Sequence, residues 1–479
     1  MYRATQSPRL LPKMRTAMNN FSTTIAAIST PPGKGGVAVI RISGEDAVAI
    51  ADRCFIPRKG KRLSEYPERH AVFGDILFDG EKIDDGIAVY FKAPNSYTGE
   101  DVAEISCHGG VLVTKTVYSA VLSAGAYPAG PGEFTRRAFV HGKLSLTQTE
   151  AIADVLEAKS YEQLLLARAE SRDRLKEELY SIHDALISLM ASVYARIDYP
   201  DEDLAELSDD EIYSTLSDAK NRLSSLKKSY KTGKAIKEGI RTVICGKPNS
   251  GKSSLYNCLT GEQSAIVTEY AGTTRDVLHE SVNLGRVMLD LYDTAGLHSA
   301  TDPVEKIGIE RSREYMSSAE LIIAVFDLSQ ELTDDDRKII SDIKEIGGSS
   351  ARIIAAVNKT DLPAVWDEER IYSEFPNTIK ISAKNNDISS LKEKIEELFC
   401  DGDIDIGRDA VISGARQYAS VCKALAHLNL SVSAFEAGYP CDVWSNDLQL
   451  AIGEMAEANG REVSENVVNE IFSHFCVGK

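Results

Sequence analysis

The sequence predicts a multidomain protein with an N-terminal α+β domain, an all-α helical domain, and an inserted α/β domain of the phosphate-loop kind. Three observations predict this. Gly246-Lys247-Pro248-Asn249-Ser250-Gly251-Lys252-Ser253 stands between an apolar, β-branched run (242–245) and a helical pattern (254–259). Apolar residues recur at helical spacing both before and after that region. From Phe21 to about Phe139, strand-like runs alternate with helical stretches and turns.

Taken in order, residues 1–20 carry Arg3, Arg9, Lys13 and Arg15, and no acid precedes Glu45. An organellar transit segment would look like this. Met14 and Met18 also precede the first strand-like run, which favours a non-native extension or a mis-assigned start, and the segment is expected to be disordered. In the N-terminal domain (21–139), residues 37–42 and 86–91 read as strands, and 45–54 and 111–124 as helices. Turns fall at Pro31-Pro32-Gly33 and Ala93-Pro94-Asn95-Ser96. The first helical part (140–236) shows Ile152, Val155 and Leu156, then Leu186, Leu189, Val193 and Ile197, with few breakers. A second helical stretch at about 211–230 is rich in Leu, Lys and Ser. The nucleotide domain spans 237–399, and the second helical part spans 400–479. At its end Val468, Ile471, Phe472 and Phe475 precede Cys476-Val477-Gly478-Lys479, where Gly and Lys suit ordinary helix capping. Cys476 is either a small buried hydrophobe or a reactive thiol, and spacing does not decide between them.

A length of 479 residues suits about three domains. Hydrophobic residues at 43% suffice for proper cores, and no run approaches the ~20 apolar residues of a membrane span. The eight cysteines are scattered without Cys-x-x-Cys pairs. That argues against a structural zinc site or a disulfide framework and for a reducing, cytoplasmic location. A net charge of −18 argues against indiscriminate nucleic-acid binding but leaves room for a local basic patch or for nucleic acid held by a partner.

The nucleotide motifs follow in a fixed order. Glycines let the loop turn its N–H groups toward phosphates at a helix N-terminus. Lys252 reaches the β- and γ-phosphates, and Ser253 ligates Mg2+. Ser250, Gly251 and Ser254 complete the cradle. Asp293-Thr294-Ala295-Gly296 follows the strand-like 287–292; Asp293 suits the Mg2+ shell and Gly296 the γ-phosphate. Thr274, in Gly272-Thr273-Thr274-Arg275-Asp276, suits the switch threonine that completes Mg2+ coordination. Asn358-Lys359-Thr360-Asp361 follows the strand-like 353–357, and Asp361 accepts from guanine N1 and its exocyclic amine, which adenine cannot offer. Ser382-Ala383-Lys384 supports the base edge through backbone N–H groups. Order and strand-end placement together point to GTP/GDP. Where signalling GTPases place a water-orienting glutamine stands Leu297, which cannot hydrogen-bond. Either hydrolysis is poor or another group positions the water; Glu305 is the candidate, and an exposed helix face is the equally available role for it.

With these residues laid out, residues 21–479 closely resemble the tRNA-modification GTPase family (MnmE, also called TrmE). The likeness rests on Pro31-Pro32-Gly33-Lys34-Gly35-Gly36, Arg41-Ile42-Ser43-Gly44, Asn95-Ser96-Tyr97-Thr98-Gly99-Glu100-Asp101, and His108-Gly109-Gly110. It continues through Pro131-Gly132-Glu133-Phe134-Thr135-Arg136-Arg137-Ala138-Phe139, Lys143-Leu144, Ala151-Ile152-Ala153-Asp154, the GTPase motifs and Phe475-Cys476-Val477-Gly478-Lys479. The resemblance implies a folate-binding N-terminal domain, a constitutive homodimer, and a GTPase inserted in a helical domain. It implies a flavin-containing partner (MnmG, or GidA, type) in a heterotetramer or larger complex, and tRNA as substrate. The group installed on C5 of the wobble uridine would be carboxymethylaminomethyl or aminomethyl. The one-carbon unit would come from a reduced folate (5-formyl- or 5,10-methylene-tetrahydrofolate). By matched position, Arg41, Glu104, Lys143 and Lys479 would contact the folate. Potassium would pair the GTPase domains, held by Asn249, Thr268, Tyr270 and Thr273, and Glu305 would orient the water. Val477 stands where the family usually has Ile, and Lys247 where Arg is common. No membrane association is implied. A ribosome-assembly GTPase switch is the alternative; its KH-type loop would have to be Gly33-Lys34-Gly35-Gly36, which enters a strand. A stand-alone folate-dependent aminomethyltransferase would not need a switch domain.

Overall fold

The computed structural model describes residues 23–198, 208–261, 279–292, 315–346, 351–367, 369–402 and 404–458, with positions 468, 471, 472, 475 and 478. Residues 1–153 and 459–479 form one compact unit, and residues 154–458 form another.

The first unit runs β1 (Ile25–Ile28), β2 (Val37–Ser43), α1 (Ala47–Cys54), β3 (Phe55–Pro57), β4 (Val72–Phe78), β5 (Glu81–Phe91) and β6 (Val102–His108). Then come α2 (Val111–Ser123), β7 (Tyr127–Pro128), α3 (Glu133–Val140) and α4 (Leu146–Glu157), whose residues 154–157 belong to the second unit. The strands form one seven-stranded sheet in the order β3-β4-β5-β6-β2-β1-β7. Strand alternation sorts β2: Ala38, Ile40 and Ile42 join the core with Ile50, Ile105, Val117 and Val121, while Val39, Arg41 and Ser43 take the opposite face. Gly44 sits at φ +136, and a Cβ there would lie 2.6 Å from Thr24 Oγ1, so the turn after β2 needs glycine. The described residues near the chain's end belong to this unit. Val468, Phe472 and Phe475 pack with Phe139 and Ile152, and Ser29 Oγ donates to the Gly478 carbonyl. The sequence groups residues 400–479 as the second helical part, and the described positions within 468–478 pack against the first unit.

The second unit contains α5 (Tyr161–Ser171), α6 (Arg174–Asp198), α7 (Asp209–Lys237), β8 (Ile240–Cys245), α8 (Lys252–Gly261), β9 (His279–Leu284), β10 (Val287–Tyr292) and β11 (Leu321–Asp327). It continues with α9 (Asp334–Ile346), β12 (Arg352–Asn358), α10 (Glu369–Tyr372), β13 (Thr378–Lys380), α11 (Ser389–Phe399), α12 (Ala415–Glu436) and α13 (Cys441–Ala458). Helices α6, α7, α12 and α13 share one core that includes Ile182, Leu186, Leu216, Leu223, Leu428 and Leu448. The helical pattern across 147–197 comprises three helices, α4, α5 and α6. Ser160 caps α5 by accepting from the Gln163 amide, and Asp173 adopts a left-handed φ of 58 before α6. Val155 and Leu156 are exposed. Helix α7 begins at a Ser208–Glu211 capping box and runs beyond the expected 211–230.

The second sheet has the order β13-β12-β11-β8-β10-β9 and is parallel except for β9. Every residue of β11 is buried, Ile323 and Val325 on one face, Ile322 and Phe326 on the other, as a sheet covered on both sides requires. Strand β8 lies between β10 and β11, where the strand order reverses. In open α/β sheets the crevice at such a point, beyond the carboxyl ends, is where ligands bind.

Candidate functional site

Strand β8 delivers residues 246–251 to the N-terminus of α8, which starts at Lys252. Gly246 has φ +152, and a Cβ there would lie 2.5 Å from the Val325 carbonyl. Gly251 has φ +101, and a Cβ would lie 2.1 Å from Asn358 Nδ2. Asn249 takes φ 63, a conformation that asparagine tolerates better than most residues. Lys252 Nζ donates to the carbonyls of Gly246 (2.9 Å) and Lys247 (2.8 Å), and burial pushes its pKa down. The ammonium is thus held along the loop, where phosphate oxygens would compete with carbonyls for its protons. Ser253 and Ser254 are exposed on the first turn of α8, and Asn249 is exposed at the loop tip.

At the base end, Asn358 closes β12 with its side chain buried. Its Nδ2 donates to the Ser250 carbonyl (3.0 Å) and its Oδ1 accepts from the Ala383 amide (3.0 Å). One amide therefore ties the phosphate loop to the Ser382-Ala383-Lys384 segment. Asp361 Oδ1 accepts from Ser382 Oγ at 2.8 Å, and Thr360 Oγ1 donates to the Ile381 carbonyl at 3.0 Å. Lys359, at φ 66, places Nζ 2.6 Å from Asp327 Oδ2. Burial alone would raise the pKa of Asp327, but hydrogen bonds from Lys359 and Ser329 outweigh it and hold the carboxyl below its ordinary value.

Asp327 belongs to the site without carrying a motif of its own. The available signal was an acid closing the apolar run of β11, in register with Asn358 on β12. The Cys258 thiol, which donates to the Ala383 carbonyl at 2.8 Å, had no sequence signal.

In the first unit, Arg41 on β2 and Glu104 on β6 are register partners, joined by Nε–Oε1 at 2.8 Å. The Arg41 guanidinium carbon lies 5.4 Å from the Tyr97 ring centroid and 5.7 Å from that of Phe134. Both charged side chains stay partly open, at 20% and 29% exposure. Lys143 is placed by the turn after α3, and its Nζ donates to the Pro94 carbonyl at 2.9 Å. In the same unit Arg137, fully buried, pairs with Glu100 (3.0 Å) and Glu133 (2.8 Å) and donates to the Thr23 carbonyl (3.0 Å). In the sequence Arg137 stood out only as part of a motif.

Thr268, Tyr270, Thr273, Thr274, Asp293, Thr294, Ala295, Gly296, Leu297, Glu305, Cys476 and Lys479 lie outside the described residues, as does the segment 1–20. Among the described residues no helix is long and apolar enough to cross a membrane, and no cluster of His, Cys, Asp and Glu suits a metal ion. The seven described cysteines are free thiols.

Comparison with known proteins matches residues 24–143 to the family model "GTP-binding protein TrmE N-terminus" and residues 146–476 to "MnmE helical domain". A tRNA modification GTPase MnmE of Clostridioides difficile is 39% identical over 463 residues, covering 95% of this chain and 99% of the relative. One from Natranaerobius thermophilus is 39% identical over 462 residues, with the same coverage. Among solved structures, the G domain of the T. maritima FeoB iron transporter is 24% identical, covers 33% of this chain and 97% of its own, and has a TM-score of 0.26. The chain is a GTP hydrolase, and it belongs to the tRNA modification GTPase MnmE family.

Proposed function

We propose that this chain is the potassium-activated GTPase of wobble-uridine modification, working in the cytoplasm as a homodimer with a flavin-containing MnmG-type partner. The reaction adds a carboxymethylaminomethyl or aminomethyl group to C5 of the wobble uridine of certain tRNAs. A reduced folate supplies the one-carbon unit. The observation that carries the reading is the coexistence, in one chain, of a phosphate-loop crevice and a separate half-open Arg41–Glu104 pair backed by Tyr97 and Phe134.

The donor set fits a folate. Arg41, Lys143 and, by motif, Lys479 offer cations to glutamyl carboxylates, Glu104 accepts from a pterin's donor edge, and the flanking rings suit a flat heterocycle. In the GTPase domain (237–399), the N–H groups of 249–252 and the Lys252 ammonium hold the β- and γ-phosphates. Ser253 and Thr274 would ligate Mg2+, and Asp293 and Gly296 would sense the γ-phosphate. Asp361 reads guanine. Asn249, Thr268, Tyr270 and Thr273 would hold K+, which supplies positive charge at the β–γ bridge when bound. Glu305 orients the attacking water.

The test is reconstitution with the flavin partner, reduced folate and undermodified tRNA, read by the mass of the wobble base. Modification that proceeds equally without this chain defeats the reading. GTP turnover in potassium chloride should exceed that in sodium chloride; equal, slow rates defeat the potassium account. No observation favours the ribosome-assembly reading, since Gly33-Lys34-Gly35-Gly36 lies between strands β1 and β2 rather than between helices.

A further inference from the structure

The side chain of Lys247 leaves the phosphate loop for the interior. Its ammonium lies 2.8 Å from Asp336 Oδ2 and 3.4 Å from the Glu331 carbonyl. Lys247 and Asp336 are 7% and 1% exposed, far more enclosed than a surface ion pair. Asp336 is the third residue of α9, and its Oδ2 also accepts from the Thr333 amide (2.8 Å) and hydroxyl (2.9 Å), a capping arrangement. Its other oxygen, Oδ1, is buried and makes no hydrogen bond among the described residues. The charge of this carboxylate is therefore answered at one oxygen, with Lys247 as the cation. Breaking such a buried pair on one side leaves an uncompensated charge.

The same residue organises the loop's main chain. The Lys247 carbonyl accepts from the Ser250 amide (3.3 Å) and from Lys252 Nζ (2.8 Å). The loop also contains three positive φ values, at Gly246, Asn249 and Gly251, which the local sequence alone holds weakly. An anchor outside the loop is needed to keep these N–H groups convergent.

We propose that the Lys247–Asp336 pair is a positioning clamp for the phosphate loop. It pins the loop's first half to α9, so that the main-chain N–H groups and the Lys252 ammonium are preset for a nucleotide diphosphate. Neither side chain touches the nucleotide. The clamp acts on affinity, because a loop that is competent for only a fraction of the time binds more weakly by that fraction.

The experiment uses the full chain and the variants Lys247→Arg, Lys247→Met and the double Lys247→Met/Asp336→Asn. It reads the thermal midpoint, the Kd for a fluorescent GDP analogue, and KM and kcat for GTP. Lys247→Met should lower the midpoint and weaken GDP binding about tenfold, raising KM with little change in kcat. Lys247→Arg should rescue binding, because guanidinium keeps the charge and reaches the same carboxylate. The double variant leaves no buried charge unpaired, and the carboxamide oxygen introduced by Asp336→Asn still caps α9. Its midpoint should therefore recover while its GDP affinity stays low. A double variant that binds GDP like the wild type overturns the clamp and leaves the pair a matter of packing. If Lys247→Met alone does not fold, the double variant and Lys247→Arg decide the question by the same readings.

Discussion

The nucleotide crevice and the Arg41–Glu104 site use charged side chains in opposite ways. In the crevice, the Lys359–Asp327 pair is buried on its acidic side and aligns the backbone. On the proposed reading, ligand recognition falls to main-chain N–H groups together with Lys252 and Asp361. In the first unit, Arg41 and Glu104 are held by two neighbouring strands and left partly open, so the charges themselves are available to a ligand. An ion pair in contact with water can exchange partners, whereas an enclosed one fixes geometry.

The contrast meets its hardest test at Gly251. Gly251→Ala places a methyl 2.1 Å from Asn358 Nδ2 at a left-handed backbone position, so it disrupts loop and base segment together. We expect GTP affinity to fall by at least about 100-fold, measured by nucleotide titration, because a well-placed phosphate cradle tolerates little displacement. Folate titration of the same variant should be unchanged.

The reverse test is Glu104→Ala. It should weaken folate binding by about tenfold, the scale of one lost charge-assisted contact, without altering GTP turnover of the isolated chain. Loss of both activities would show that the two sites are not separable.

The smallest effect concerns Glu170, a third kind of carboxylate. Burial raises its pKa to about 7; Lys237 opposes that shift, but Lys237 Nζ is 2.6 Å from Asp154, whose own charge raises the pKa further. Ser413 donates its hydroxyl to Glu170. The folded protein therefore binds a proton here between the unfolded value near 4.5 and about pH 7, so stability falls as pH rises through that window. Glu170→Gln should flatten this dependence and raise the thermal midpoint by a few degrees at pH 8, leaving it little changed near pH 5. An unchanged pH profile would show that enclosure does not govern this carboxyl.

Much of the crevice is legible in the sequence because its chemistry depends on local order. A glycine loop between an apolar strand and a helix has few other uses, and Asn358 and Asp361 follow a strand that their motif already marks. What stays hidden depends on long-range approach. Asp327 acquires its role only when β11 and β12 pair in register, and Asp336 only when α9 meets residue 247. The helix boundaries within 147–197 are blurred in the sequence because Ser160 and Asp173 break the chain without proline or glycine. Arg41 and Glu104 look like ordinary strand charges; only the family resemblance singles them out. For the attachment of the final residues to the first unit, the decisive contacts are the Phe472 and Phe475 rings and the close passage of Gly478 by Ile28.

Asn358 has a consequence for how the ligand is sensed. Because a single carboxamide bonds to Ser250 on one side and Ala383 on the other, the segments proposed to take the two ends of a nucleotide share one bracket. Guanosine alone or pyrophosphate alone would each have to order the whole bracket for half of the contacts. On the proposed reading, the intact nucleotide should gain more than the sum of its fragments, and titration with GDP, guanosine and pyrophosphate would measure the excess.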